Sequence, residues 1–288
     1  MNQYNHIFLT GDTHGNFRRI EDFCNKFSTT KNDLLIILGD AGFNFYLNYK
    51  DDMRKDFVNS LPISVLCIHG NHEEHPYLVQ SRNQGGDKEP AYQEIDFAGG
   101  TAYFEPRFTS LMFAKDGEIY DLNGKKAIII GGAYSVDKNY RLMMGYPYFE
   151  SELPSKEIKQ HVLDTLDKAD WKVDVVLSHT VPLKYEPVEW FMSGVNETKV
   201  DKSMETWLDG IEDRLDYKAW YAGHYHGEKT IDKLRIMFND YIDLSDDLHR
   251  LNDIEKDSPV RENPQDIPQE TLYKENEKVS DIDSPERE

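Results

Sequence analysis

Apolar residues along this chain gather into short runs that stop at glycines. His6-Ile7-Phe8-Leu9-Thr10 runs into Gly11, Leu34 to Leu38 into Gly39, and Ser64 to Ile68 ends just before Gly70. Runs of this length, bounded by turn residues, read as strands. Between them the spacing becomes helical: Phe17, Ile20, Phe23, Cys24 and Phe27 share one face, and a second helix spans about Tyr49 to Leu61. Strand, helix, strand, helix, strand predicts a parallel layer with crossover helices.

The middle of the chain has a different rhythm. Gly100 to Phe113 and Glu118 to Gly131 are β-rich but broken by Pro106, Gly117 and Gly124, which predicts hairpins of a second sheet. A helix is expected from Ser155 to about Ala169, then strands at Val173–Leu177, Ala219–Ala222 and Leu234–Phe238. Asp201 to Leu215 reads as another helix, carrying Met204, Trp207, Leu208, Ile211 and Leu215 on one side. The simplest architecture is α/β: two packed mixed sheets flanked by helices.

After Leu244 the pattern fades. Residues 245–288 hold 14 Asp or Glu against six Lys or Arg, four prolines and one aromatic, Tyr273. Such a segment buries too little apolar surface to offset its chain entropy, so a domain over 1–244 with a disordered acidic tail is expected. Leu244, Leu248 and Leu251 have the spacing for a turn or two of helix at its start.

Composition narrows the function. The 39% apolar content suffices for a core, and a formal net charge of -20 disfavours an extended nucleic-acid surface, which gains affinity by neutralising phosphates with Lys and Arg. Bound cations can still hold a nucleotide on an acidic protein. Cys24 and Cys67 sit in apolar stretches without ligand spacing and read as reduced packing residues. No apolar run approaches the roughly 18 residues needed to span a bilayer, and the opening residues lack a signal-peptide pattern; a cytoplasmic protein with no membrane partner is expected.

Five segments place ligand-type side chains directly after strand candidates: Gly11-Asp12-Thr13-His14-Gly15, Gly39-Asp40-Ala41-Gly42, Gly70-Asn71-His72-Glu73, Ser178-His179-Thr180 and Gly223-His224-Tyr225-His226. In an α/β sheet the carboxyl ends of strands open onto the ligand crevice. Nitrogen and oxygen donors without a thiolate favour Mn, Fe, Zn or a related divalent ion. The donors are too many for one tetrahedral ion. Two ions about 3.5–4 Å apart, bridged by a carboxylate, would use them and clamp a phosphoryl group.

In this order the segments resemble the motif series of the calcineurin-like metallophosphoesterases, GDxH, GDxx, GNHE, a single His and GHxH, over roughly Met1 to Leu244. The resemblance implies a four-layer αββα sandwich with the site at the sheet ends. It assigns Asp12, His14 and His226 to one metal and Asn71, His179 and His224 to the other, with Asp40 bridging both. It also implies an enzyme that hydrolyses phosphoesters by in-line attack of a metal-bridging hydroxide, with His72 as the acid that protonates the leaving group. Asp12 or Glu73 would orient His72, or Glu73 would instead anchor the following helix.

GDTHG and GNHE are similar in particular to the Ser/Thr protein phosphatases, yet two arginines of that group are missing. Asp40 is followed by Ala41, Gly42, Phe43 and Asn44 where an Asp-Arg pair is expected, and His69 stands where Arg precedes GNHE. Those arginines grip a phosphomonoester dianion bidentately, so their loss moves the expected substrate toward a phosphodiester or nucleotide. Arg141 and Lys138 are candidate replacement cations, and Arg18 and Arg19 read as helix-surface charges. Val181 to Asn196 carries Tyr185, Trp190 and Phe191 beside the fourth motif; these aromatics either stack on a base or roof the core, and the roof is preferred because large aromatics are more often buried. A phosphomonoesterase resembling the protein phosphatases, a scaffold that keeps the fold without catalysis, and a nuclease relying on a partner for DNA affinity are the competing readings. The retained ligand set and His72 argue for the enzyme.

Overall fold

The structure, a computed structural model, describes residues 3–81, 89–191 and 200–257. Residues 1–251 form one compact unit and 252–288 a second, of which only the end of a helix is described.

The glycine-bounded runs form β1 (Ile7–Thr10), β2 (Leu34–Ile37) and β3 (Ser64–Cys67), all parallel, with Leu35 beside both Phe8 and Val65. The crossovers contain α1 (Arg18–Phe27) and α2 (Tyr49–Ser60). Asn48 caps α2 by accepting a hydrogen bond from Lys50 N at 2.9 Å.

The next strands correct one expectation. Gly100–Phe113 does not belong to the second sheet: β4 (Gln93–Phe97), β5 (Gly100–Phe104) and β6 (Leu111–Ala114) extend the first, β6 lying parallel to β3 with Met112 beside Leu66. The reason is burial on both faces of β6. Met112 and Ala114 join the core between the sheets, while Leu111 and Phe113 join the core under the first helices.

The expected hairpin over Glu118–Gly131 does enter the second sheet as β7 (Ile119–Asp121) and β8 (Lys126–Ile130). Then come α3 (Lys138–Met144), α4 (Lys156–Lys168), β9 (Val175–Ser178), α5 (Ser203–Glu212), β10 (Ala219–Ala222), β11 (Lys229–Ile231), β12 (Leu234–Ile236), β13 (Ile242–Asp243) and α6 (Leu244–Asp257). The first sheet runs β13-β1-β2-β3-β6-β5-β4 and the second β11-β12-β10-β9-β8-β7.

Strand alternation builds the layers. On β2, Leu34 and Ile36 meet Ile129, Leu177 and Tyr221 of the second sheet, while Leu35 and Ile37 face Ile20 and Phe23 of α1. On the outer face of the second sheet, Ile128, Val176 and Trp220 pack with Val162 and Leu166 of α4 and Met204 and Leu208 of α5. Three apolar cores thus separate four layers, helix, sheet, sheet, helix. Each fully buried Leu or Ile contributes about 1.5–3 kcal/mol.

Leu244 and Leu248 are buried in the core between the sheets, with Leu251 packed against it. Spaced one helical turn apart on α6, they carry the compact unit past the Leu244 boundary expected from composition, to Leu251. The acidic tail beyond Asp257 lies outside the described residues.

Candidate metal centre

The parallel strands β1, β2 and β3 of one sheet and β9 and β10 of the other all deliver their carboxyl ends to one place. The loops that follow bring Asp12, His14, Asp40, Asn71, His179, His224 and His226 together. His226 Nε2 lies 3.2 Å from Asp12 Oδ2 and His14 Nε2 2.8 Å from His226 Nε2. His14 Nε2 is also 3.8 Å from Asp40 Oδ2, and His179 Nε2 is 3.6 Å from Asp40 Oδ1. Asp40 therefore stands between the two groups of donors.

The backbone makes this convergence tight. Gly39 has φ 92°, and a Cβ there would collide with the His179 ring. His14, Asp40, His224 and His226 themselves have φ of 45°, 47°, 70° and 51°. Left-handed conformations on non-glycine residues are costly and concentrate where surrounding structure imposes a functional geometry.

Hydrogen bonds then aim the donors. Asp12 Oδ1 accepts from His224 N at 2.9 Å and Asp40 Oδ1 from His72 N at 2.8 Å, so each carboxylate has its second oxygen left for the site. His179 Nδ1 donates to the Leu38 carbonyl at 2.8 Å, which leaves the Nε2 lone pair pointing inward. That lone pair meets Asn71 Oδ1 at 2.8 Å, while Asn71 Nδ2 donates to Ser135 Oγ at 2.9 Å. His224 Nδ1 faces the same Asn71 oxygen at 3.1 Å. Two acceptors this close repel unless a cation lies between them, and the spacing suits ligands that share one ion. The residues present fit a divalent metal.

Protonation at Asp12 and His224 fits as well; at His14 burial is outweighed by the Asp12 hydrogen bond and the Asp40 charge, which raise the imidazole instead. Burial opposes the charge on Asp12, but hydrogen bonds from His14 and His226 outweigh it and hold the carboxyl well below the usual range. Burial pushes the His224 imidazole down to about 3. A deprotonated carboxylate and a neutral imidazole are the forms that bind metal.

His72 sits at the rim with 27% of its side chain exposed. Its Nε2 is 3.9 Å from Asp137 Oδ1, a neighbour that sequence reasoning did not single out. Burial lowers the His72 imidazole, the Arg141 guanidinium adds to the effect, and Asp40 opposes it. Glu73 turns away: it is 1% exposed, accepts from Gly70 N at 3.1 Å, and burial pushes its carboxyl well above the ordinary range. Its contact is with the motif turn itself.

The three residues put forward for substrate binding go elsewhere. Arg141 is buried, donating from Nε to the Pro147 carbonyl at 2.8 Å and from Nη1 to Ser135 Oγ at 3.1 Å. Lys138 reaches Tyr148 OH at 2.7 Å, and Tyr185 OH reaches Glu212 at 3.2 Å. None lines the cavity of about 390 Å³ that opens beside the motif residues. Arg19 clamps the first motif loop, donating to the carbonyls of Gly11 at 2.8 Å and Asp12 at 3.0 Å.

The cavity is lined by Asp40, Asn71, His72, His224 and His226 and also by Glu186, Trp190, Phe191, Asp201, Glu205 and Tyr225. Of the aromatic stretch over 181–196, Trp190 and Phe191 therefore face the site, and residues beyond Phe191 lie outside the described ones. The glutamates were invisible as site residues because nothing in their spacing marks them; the stretch after β9 brings in Glu186 and helix α5 brings in Glu205.

Comparison with known proteins agrees with the geometry. No curated protein sequence matches the chain. One solved crystal structure is similar over 83% of this chain and 95% of its own at 11% identity, with a TM-score of 0.45. The sequence profile described as calcineurin-like phosphoesterase matches residues 6–228, from the first strand through the last motif. With the two mixed sheets, the flanking helices and the clustered candidate ligands in place, the chain belongs to the calcineurin-like phosphoesterase family.

Proposed function

We propose that this chain is a dinuclear metallophosphoesterase whose substrate is a phosphodiester or a nucleotide of the cytoplasm. The family supports metal-dependent phosphoester hydrolysis in general. The observation that carries the finer reading is the contact of Asn71 Oδ1 with both His179 Nε2 and His224 Nδ1, beside a second donor group of Asp12, His14 and His226. In this reading Asn71, His179 and His224 hold one ion, Asp12, His14 and His226 the other, and Asp40 belongs to both. When bound, the ions supply charge that activates water and neutralises phosphate oxygens.

The chain's own groups do the rest. His72, at the rim, donates a proton to the departing oxygen, and Asp137 faces its Nε2. Among the described residues the cavity wall has one cation, Lys202, which is engaged with Glu186 at 2.8 Å, and no arginine. A monoester dianion would lack a bidentate clamp here; a diester carries one negative charge fewer.

The test is turnover of bis-p-nitrophenyl phosphate against p-nitrophenyl phosphate with added Mn, together with metal content. Two ions per chain, a higher kcat/KM for the diester, and losses of about 100-fold or more on Asp40→Asn and His72→Ala are expected. Turnover that survives both substitutions, or a chain that takes up no metal at saturating supply, contradicts the reading.

A further inference from the structure

The part of the cavity lining that lies outside the metal-donor set has its own chemistry. Glu186, Asp201 and Glu205 line it with a single lysine, Lys202, whose ammonium already binds Glu186. Glu205 is 3% exposed; its Oε1 accepts from Thr180 Oγ1 at 3.0 Å, while its buried Oε2 has no hydrogen-bond partner among the described residues. Glu186 accepts from Tyr225 OH at 3.3 Å, which fixes it against the same wall. A buried acceptor left unpaired beside an open cavity marks a place for a donor or a cation.

Aromatic rings complete the wall. Trp190, Phe191 and Tyr225 line it, with Phe191 stacked near Tyr225 at 6.3 Å between centroids. Phe191 already carries a cation on its face, the Lys202 ammonium at 4.7 Å from the ring centre. Aromatic faces joined to carboxylates favour an organic cation, since the ring quadrupole and the carboxylate charge act in the same direction. A neutral nucleobase would satisfy one carboxylate and leave the field of the others unbalanced.

We infer that this acidic and aromatic part of the lining binds a positively charged organic group, an amine or quaternary ammonium, on the alcohol of the phosphoester, so that the substrate is zwitterionic. The inference rests on the phosphoesterase reading for the placement of the phosphate at the metal donors. Charge is then complementary end to end: phosphate against the ions, ammonium against Glu205, Glu186 and the rings.

The probes are three p-nitrophenyl phosphodiesters with the same leaving group: the choline ester, its uncharged carbon isostere the 3,3-dimethylbutyl ester, and the thymidine 5′-ester. On the Mn-loaded protein, kcat/KM for the choline ester should exceed that for the isostere by about tenfold or more. Glu205→Gln and Glu186→Gln should each bring that ratio toward one, with thermal melts showing that the variants fold. Calorimetric titration of phosphocholine, 3,3-dimethylbutyl phosphate and thymidine monophosphate into Mn-loaded His72→Ala protein reads the subsite without turnover. Tighter binding of phosphocholine than of its isostere supports the subsite even if no ester is hydrolysed, in which case the phosphoesterase reading alone fails. Equal binding of the two, or a preference for thymidine monophosphate, overturns the inference.

Discussion

Asn71 Nδ2 donates to Ser135 Oγ, and that bond decides which end of the amide faces the histidines. Arg141 Nη1 also approaches Ser135 Oγ, at 3.1 Å, so the hydroxyl is held from two sides within a buried cluster. Ser135→Ala removes the acceptor for both, letting the amide rotate, leaving Asn71 Nδ2 unpaired and Arg141 Nη1 with the longer bond to the Asn71 carbonyl at 3.5 Å. We expect one of the two ions to bind about 10–100-fold more weakly, as is usual when a group orienting a ligand is removed, and stability to fall by about 1–3 kcal/mol. Ser135→Thr keeps the hydroxyl and should restore both. Competition with a chromogenic chelator measures the affinities, and unchanged affinity for both ions would remove Ser135 and Arg141 from the account of the site. Arg141 was picked out in the sequence as a cation for substrate; its value lies one bond farther back, because its position after β8 brings it under the Asn71 loop and not into the opening.

Among the elements, a buried pair ties the loop after β3 to the turn after β6, and through it to the end of β8. His75 Nε2 lies 3.1 Å from Asp116 Oδ2, and Gly131 N donates to Asp116 Oδ1 at 2.6 Å. Burial opposes the Asp116 charge, but the His75 hydrogen bond and charge outweigh it, leaving the carboxyl below its usual range. A folded-state pKa that is depressed contributes stability above the unfolded value of about 3.9 and loses it as pH falls through the folded value. Asp116→Asn should therefore destabilise at pH 7 by roughly 1–3 kcal/mol and flatten the loss of stability below about pH 4. Urea unfolding at pH 7 and pH 3 decides it; an equal cost at both would show that the charge plays no part. Neither partner stood out in the sequence, since the pair joins segments that are far apart in the chain. The same limit explains β5 and β6: local alternation identified strands, but which sheet they enter is settled by Met112 and Phe113 facing two different cores. β4 carries an exposed Gln93-Glu94 start on a sheet edge and has no apolar run to announce it. α3 leaves Tyr140, Leu142, Met143 and Met144 exposed, so it lacks the one-sided pattern that revealed α1 and α5. Strands β1, β2, β3, β9 and β10 were legible because both faces are buried and, for all but β9, glycine marks the exit, and the motif residues were legible with them.

At the level of the whole molecule, the site gathers like charge inside an already acidic protein. Asp12 and Asp40 are 1% exposed each, in a chain of formal charge -20. Bringing five strand ends from two sheets together sets carboxylate, amide and imidazole lone pairs against one another, and only a cation converts that repulsion into attraction. The ions should then act as a clasp between the sheets as well as the source of reactivity. Binding to the folded state alone adds about 2.7 kcal/mol per site at a free-ion concentration of about 100 Kd, which for a unit of this size raises Tm by roughly 5–10 °C per ion. Differential scanning calorimetry of chelator-treated protein with and without Mn tests this. Asp40→Asn, which weakens both ion positions in the proposed assignment, should remove most of the rise, while Asn71→Ala should remove only part of it. If both substitutions leave the rise intact, the ions that stabilise the protein bind elsewhere.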